Sequence, residues 1–225
     1  MKILALDTST EACSVALYLD GEMDELYELI PRQHAARLLP MIQALMKENG
    51  LVFTDLDAIA FGQGPGSFTG LRIAAGVAQG VAFGAGLPII PVSTLAALAR
   101  QANRQFGSEY VLSCLDARIE EVYWGTFQVG VDGIIALQQE QLSPPEVVVL
   151  NQDVGKNHWF AAGNGWVYRP RIAMETLNRI TAADVSMLPR AIDMAALAAI
   201  YYDQGLLQSP DSVAPVYLRD KVTHN

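Results

Sequence analysis

One stretch of the sequence restricts the fold more than any other: the glycine-punctuated run GQGPGSFTGLRIAAGVAQG, from Gly62 to Gly80. A strand-like apolar segment precedes it, and its second half has a helical composition, so the first glycines fall at a strand-to-helix junction. Such junctions are typical of α/β proteins, where the loop either binds an anion at the helix N-terminus or packs closely against neighbouring backbone. The residues allow both roles.

The side chains of this loop narrow its chemistry. It is not a Walker A loop, because no lysine follows the glycines to reach the outer phosphates of a nucleotide. Arg72 is the only nearby cation, and Ser67 and Thr69 are the hydroxyls at the start of the helix. Phosphate contact at this loop would therefore depend on these three residues and on backbone N–H groups.

Small residues recur along the helix that follows. Gly76, Gly80 and Gly84 fall four apart, and each glycine inside a helix costs about 1 kcal/mol relative to alanine. Close contact with another helix compensates for such a loss. The contact could be internal, against the sheet, or with another chain. We expect another chain, because small-residue rows suit symmetric or pseudo-symmetric helix pairing.

The first hundred residues alternate between strand-like and helix-like patterns. Hairpin-linked strands are predicted at 2–6, 13–19 and 25–30, with Asp20-Gly21 as the turn between the second and third. A helix at 33–49 places Leu38, Ile42 and Leu45 on one face, and two strand-helix units follow. The order βββαβαβα predicts a mixed sheet with flanking helices.

A second segment repeats the pattern of the N-terminus. VLSCLDARIEEVYWGTFQVGVDG reads like ILALDTSTEACSVALYLDG, with Asp116 matching Asp7 and Asp132-Gly133 matching Asp20-Gly21. This similarity predicts an internal duplication and two lobes, an N-terminal lobe at 1–106 and a C-terminal lobe at 107–225. The helix predicted at 190–203 could pack back toward the N-terminal lobe.

Asp7 stands at the carboxyl end of the first strand, where open α/β sheets present ligand-binding groups. Its carboxylate could hold Mg²⁺ through water while Thr8 and Ser9 donate hydrogen bonds to phosphate. Alternatively, Asp7 caps its own turn. The turn lacks the glycine that would let backbone approach a phosphate, and both interpretations stay open.

Charge and composition exclude several classes of protein. The formal net charge of -9 opposes direct binding of nucleic acid. Cys13 and Cys114 are expected to be buried free thiols, and the three histidines share no metal-ligand spacing. Neither a signal peptide nor a membrane span is recognisable, which predicts a cytoplasmic protein without membrane contact.

Five segments in this order carry a resemblance to a known family: LALDTST, GPGSFTGLRIA, PVSTLAALA, LDARIEEVYWG and PVYLRDK. They resemble the TsaB (YeaZ) family, whose bacterial members are needed to make threonylcarbamoyladenosine at position 37 of ANN-decoding tRNAs. The resemblance implies an α/β, two-lobed actin/Hsp70/sugar-kinase-like (ribonuclease-H-like) fold, with mixed sheets and flanking helices. It also implies a non-catalytic partner of a TsaD-like paralogue and a TsaE-like ATPase.

The family pairs with itself or with TsaD through its first two N-lobe helices, so the resemblance implies a homodimer in isolation. The residues implied for this interface are Leu38, Ile42, Leu45, Arg72, Gly76, Gly80 and Gly84. Contact with tRNA is implied only through the complex.

Departures from the catalytic paralogue argue against enzymatic activity. Thr94 and Leu98 align with its His-x-x-x-His metal pair, which leaves no metal ligand there. Arg118 occupies the second hairpin turn, where kinases of this fold use glycine and hydroxyl groups. We therefore expect no catalytic residue, no metal and no tightly bound cofactor. ATP or ADP with Mg²⁺ could bind at a heteromeric interface. The candidate contacts for the nucleotide are Asp7, Thr8, Ser9, Ser67, Thr69, Arg72 and Arg118.

The sequence leaves three alternative functions. A small ATP-dependent kinase of the same fold, such as a pantothenate-kinase-like enzyme, would use Asp7 and Asp116 as metal or base groups. A ribonuclease-H-like nuclease needs further carboxylates at adjacent strand ends, and Asp57 lies at the wrong end of its strand. A metallopeptidase is disfavoured by the scattered histidines. The kinase is the strongest of these alternatives.

Overall fold

The computed structural model describes residues 1–131, 133–150 and 158–219. The chain divides into two units. Unit 1 comprises Met1–Ala97 and Pro189–Val216, and unit 2 comprises Leu98–Leu188 together with the described part of Tyr217–Asn225.

Unit 1 is built on a five-stranded mixed sheet with the strand order β3-β2-β1-β4-β5. The first three strands are antiparallel, and β4 and β5 run parallel to β1. The turn between β2 and β3 contains Asp20 and Gly21, both with positive φ, as expected for an Asp-Gly hairpin. The strands are β1 Lys2–Asp7, β2 Ala12–Leu19, β3 Glu22–Leu29, β4 Ala58–Gly64 and β5 Ile89–Ser93.

Three helices pack against the sheet of unit 1 through buried apolar side chains: α1 His34–Glu48, α2 Phe68–Ala85 and α5 Ala191–Asp203. A further helix, α3 Thr94–Phe106, begins in unit 1 and continues into unit 2. The hydroxyl of Ser67 caps α2 by accepting from the N–H of Gly70, and Gly86 ends the helix in a left-handed conformation. Pro40 lies inside α1. The predicted order βββαβαβα is confirmed.

After α5 the chain crosses unit 1 as an extended segment, 204–216, which we call the strap. Gln208 pairs with Ile89 at the edge of β5. The side-chain amide of Gln79 on α2 donates to the carbonyls of Pro210 and Val213, at 3.1 and 3.0 Å. Val213 is buried in the core. The strap is therefore an integral part of unit 1.

Unit 2 also begins with an antiparallel hairpin. Its main sheet has the order β11-β10-β6-β7-β8, with β9 paired to β7 and with β10 parallel to β6 and β11. Trp124, Trp159 and Trp166 pack in its core. The elements are β6 Tyr110–Asp116, β7 Val122–Gly130, β8 Gly133–Ala136, β9 Gln141–Ser143, β10 Trp159–Ala162, α4 Met174–Leu177 and β11 Ile180–Asp184.

The expected fold class, α/β with mixed sheets and flanking helices, is confirmed. Asp116 ends β6 as Asp7 ends β1, while Asp132 lies outside the described residues. Both cysteines are buried and free, as predicted. Within the described ranges, no helix combines the length and apolar character needed to cross a membrane.

Candidate functional site

The glycine loop between β4 and α2 lies directly on the turn that follows β1. The N–H of Ser67 donates to the carbonyl of Ser9 at 2.7 Å, and the hydroxyl of Thr8 donates to the carbonyl of Gly70 at 2.7 Å. The hydroxyl of Thr94 holds the loop from its other side by donating to the carbonyl of Pro65. The loop is therefore fixed by three hydrogen bonds, two with the turn after β1 and one with the first residue of α3.

Glycine is required in this loop because backbone meets backbone. A Cβ atom on Gly70 would lie 1.9 Å from the carbonyl oxygen of Thr8. A Cβ on Gly66 would lie 2.6 Å from the carbonyl oxygen of Ser9. Of the two roles considered for the loop, close packing is the one that these contacts show.

The prediction that Thr8 and Ser9 contact phosphate stays a prediction, and the structure shows which groups these side chains contact in the chain itself. Both side chains are buried, at 0% and 1% relative exposure. The hydroxyl of Thr8 bonds to Gly70, and that of Ser9 donates to the carboxylate of Asp7 at 2.9 Å. In this structure both hydroxyls are therefore bonded to other groups of unit 1.

Asp7, another predicted ligand contact, has a fully buried side chain. One carboxylate oxygen accepts from the N–H and the hydroxyl of Ser9, at 3.1 and 2.9 Å, which is the turn-capping alternative. The other oxygen, Oδ1, has no hydrogen-bond partner among the described residues. Burial raises the pKa of Asp7 to about 7, although the hydrogen bonds from Ser9 act in the opposite direction.

The other four predicted phosphate contacts are exposed, but they are divided between the two units. Ser67, Thr69 and Arg72 lie on the surface of the first turns of α2, and the guanidinium of Arg72 stacks 3.9 Å from the centre of the Phe68 ring. Arg118 belongs to unit 2. The structure therefore brings three of the seven candidates together at one exposed helix start.

The turn that contains Arg118 has an unusual backbone. Arg118, Ile119 and Glu120 have φ angles of 64, 53 and 58°, a left-handed run made without glycine. The carboxylate of Asp116 supports it by accepting from the N–H of Arg118 at 2.8 Å and from the hydroxyl of Tyr168 at 3.3 Å. No residue type in this turn signals the left-handed conformation, so it was not predicted.

The small-residue row of α2 lines an open apolar groove. Gly76, Gly80 and Gly84 are exposed, and a Cβ on any of them would find no atom within 4 Å among the described residues. The groove has a volume of about 690 Å³. We call it the α2 groove; its lining residues are Leu39, Val52, Phe53, Thr54, Gly76, Val77, Gly80, Val81, Gly84 and Ala85.

The three α1 residues predicted for a dimer interface lie in the core of unit 1 in this structure. Leu38, Ile42 and Leu45 are fully buried in the core of unit 1, so their side chains hold α1 on the sheet and are not available to another chain. Leu39, which is 45% exposed, lines the α2 groove in their place. The sequence did carry one signal for Leu39: it is an apolar residue that directly follows Leu38, which lies on the buried face of α1.

The positions aligned with the paralogue's metal pair carry no ligand. Thr94 and Leu98 are both buried, and Thr94 is bonded to the glycine loop. His34 contacts the carbonyl of Ala12 at 3.1 Å through its Nε2 atom. In the part of the chain that the structure describes, no three His, Cys, Asp or Glu side chains cluster in a way that could hold a metal ion.

Comparison with known proteins places this geometry in a family. A family model described as "TsaD: tRNA N6-adenosine threonylcarbamoyltransferase" matches residues 26–204. The curated protein "tRNA threonylcarbamoyladenosine biosynthesis protein TsaB" of Escherichia coli (strain K12) is 43% identical over 223 residues, covering 99% of this chain and 96% of the relative. The protein of the same name from Haemophilus influenzae is 41% identical over 233 residues, covering 99% and 95%.

A solved structure gives the same result. The structure described as "YeaZ from Pseudomonas aeruginosa" matches with a TM-score of 0.91 and 46% identity, covering 96% of this chain and 99% of that one. Similarity of sequence and of structure thus extends over nearly the whole chain. The chain belongs to the TsaB (YeaZ) family.

Proposed function

We propose that this chain is a non-catalytic partner subunit required for the transfer of a threonylcarbamoyl group to adenosine 37 of ANN-decoding tRNAs. It acts with a TsaD-like paralogue and a TsaE-like ATPase. The pathway is supported by the curated relatives, whose printed names describe tRNA threonylcarbamoyladenosine biosynthesis. The high coverage of both chains supports the transfer of this role to the whole protein.

One observation supports the non-catalytic role above the others: the turn after β1 is filled by the protein's own glycine loop. Thr8, Ser9 and Asp7 are buried there, so the groups that a kinase of this fold would present to a phosphate are covered. An enzyme needs its reacting groups within reach of the substrate. Unit 1 offers none at this position.

The α2 groove supports a role in assembly. Its walls are mainly apolar, and the three exposed glycines let another backbone approach α2 closely. We assign it to the TsaD-like paralogue, with a homodimer through the same groove when the chain is isolated. The net charge of -9 opposes direct tRNA binding, so tRNA is contacted through the complex.

Titration of ATP with Mg²⁺ into the isolated chain is expected to give no binding heat above that of dilution into buffer. The physical reason is that Asp7, Thr8 and Ser9 are buried. Isothermal titration calorimetry makes the measurement. A saturable signal that Asp7→Asn removes would contradict this expectation and favour the small kinase. Nucleotide at a heteromeric interface, near Ser67, Thr69 and Arg72, would instead appear only when the paralogue is present.

Depletion of this chain from cells is expected to remove threonylcarbamoyladenosine from bulk tRNA, as measured by nucleoside mass spectrometry. An unrelated modified nucleoside in the same digest serves as the internal control. An unchanged level after verified depletion would overturn the proposed pathway. Omission of the chain from a reconstituted mixture with TsaD-like and TsaE-like proteins then distinguishes a required partner from a dispensable one.

A further inference from the structure

A buried carboxyl group lies under the last helix of unit 1. α5 packs against β1, β2, β4 and β5, and so covers the end of β1 where Asp7 stands. A Cβ on Gly62 would lie 2.1 Å from Oδ1 of Asp7 and 2.9 Å from the terminal methyl group of Met194 on α5. The carboxyl of Asp7 and the side chain of Met194 thus share the space that the missing side chain of Gly62 leaves.

The beginning of α5 is tied to the sheet by a polar network. The hydroxyl of Ser14 accepts from the N–H of Ala191 at 2.8 Å and donates to the carboxylate of Glu25 at 2.8 Å. Glu25 also accepts from the N–H of Ile192 at 3.2 Å and pairs with Arg190. These contacts hold Arg190, Ala191 and Ile192 at the start of the helix, and Met194, in the same first turn, packs over Asp7.

A negative charge on Asp7 would be poorly compensated in this packing. Ser9 satisfies one oxygen, but Oδ1 has no partner among the described residues, and burying an unpaired charge is costly. Of the elements around Asp7, β4 contains no titratable group and α2 contains only the exposed Arg72. The remaining nearby titratable and charged groups are Cys13 on β2, Glu25 and Tyr27 on β3, and Arg190 and Asp193 at the start of α5.

We propose that Asp7 is an ionisation-sensitive latch on α5: the neutral carboxyl keeps the helix packed on the sheet, and the carboxylate favours its detachment. Detachment lets water reach Oδ1 and removes the cost of the buried charge. The device goes beyond the partner role proposed above and acts within unit 1 alone.

The direction of the pH dependence follows from the two states of Asp7. Burial raises its pKa from 3.8 to about 7 when α5 is packed, and an open state returns it toward the ordinary value. The packed state is therefore most stable below about pH 4. Between about pH 4 and pH 7 the open population rises tenfold per pH unit, and above the raised pKa it levels off.

Hydrogen exchange of the full chain between pH 5 and pH 8 tests the latch, after correction for the intrinsic exchange rate at each pH. The protection of α5 amides is expected to fall about 50-fold from pH 5 to pH 7 and to level off above pH 7. Amides of α1 are the internal reference and should keep their protection. In Asp7→Asn the dependence of α5 on pH should disappear.

A matched control removes an anchor without removing the charge. Ser14→Ala should loosen α5 at every pH and keep the same pH dependence, because Asp7 remains. If the Asp7 variant does not fold, the ¹³C signal of the Asp7 carboxyl in the native chain provides the second measurement, since its midpoint must coincide with the levelling of α5 protection. Protection of α5 that is independent of pH, a dependence that survives Asp7→Asn, or an equal loss in α1 and α5 would overturn the latch.

Discussion

Gly70→Ala is expected to destabilise unit 1 by about 3 kcal/mol, the upper part of the range for inserting an atom into closely packed structure. The new methyl group would lie 1.9 Å from the carbonyl oxygen and 3.0 Å from the carbonyl carbon of Thr8, so backbone has to move. That movement also breaks the hydrogen bond from the hydroxyl of Thr8 to the carbonyl of Gly70. Chemical denaturation followed by circular dichroism measures the loss.

Gly76→Ala provides the matched control on the same helix. No described atom lies within 4 Å of the new methyl group, so the substitution should raise stability by about 1 kcal/mol through helix propensity alone. All three tryptophans, Trp124, Trp159 and Trp166, lie in unit 2, and intrinsic fluorescence would therefore miss the change. Equal stability of the two variants would show that the loop does not pack on Thr8 as described.

Gly80→Leu is expected to weaken association through the α2 groove by about 5- to 150-fold, the range that 1–3 kcal/mol of overpacking gives. Its side chain would fill the groove where another backbone is proposed to approach, while the fold of the chain stays intact because the position is open. Light scattering measures the homodimer, and calorimetry measures binding to the TsaD-like paralogue.

Gln43→Leu is the control for this variant, since it adds the same exposed side chain to α1 outside the lining of the groove. It should leave both association constants unchanged. Unaltered homodimer mass and paralogue binding in Gly80→Leu would reject the assignment of the groove. Loss of association in both variants would point to a non-specific effect of surface leucine.

The element order of unit 1 could be predicted because its signals are local. Asp20-Gly21 specifies a hairpin turn, and Ser67 and Gly86 mark the ends of α2. No local signal in the sequence shows which apolar side chains of a helix face the core and which face a partner. Leu38 and Leu39 are both apolar, and only the position of α1 on the sheet decides that the first is buried and the second exposed.

The burial of Asp7 could not be predicted either, because it depends on residues that are distant in the sequence. A carboxylate at the end of a strand has the same local sequence whether it faces solvent or another element. Its cover comes from Gly62 and Met194, and Met194 follows almost two hundred residues later in the chain. The glycines of the loop predicted that another part of the molecule approaches the loop closely. Only the fold shows that this neighbour is the turn at Thr8 and Ser9.

Unit 1 is assembled from two distant segments of the chain, and this has a consequence during synthesis on the ribosome. The sheet of residues 1–97 emerges first, but α5 and the strap that cover it are translated only after unit 2. At about 5–20 residues per second, the roughly one hundred intervening residues take on the order of 5 to 20 seconds. Through that interval the nascent sheet exposes apolar surface, so the newborn chain should be a substrate for chaperones that bind at the ribosomal exit tunnel.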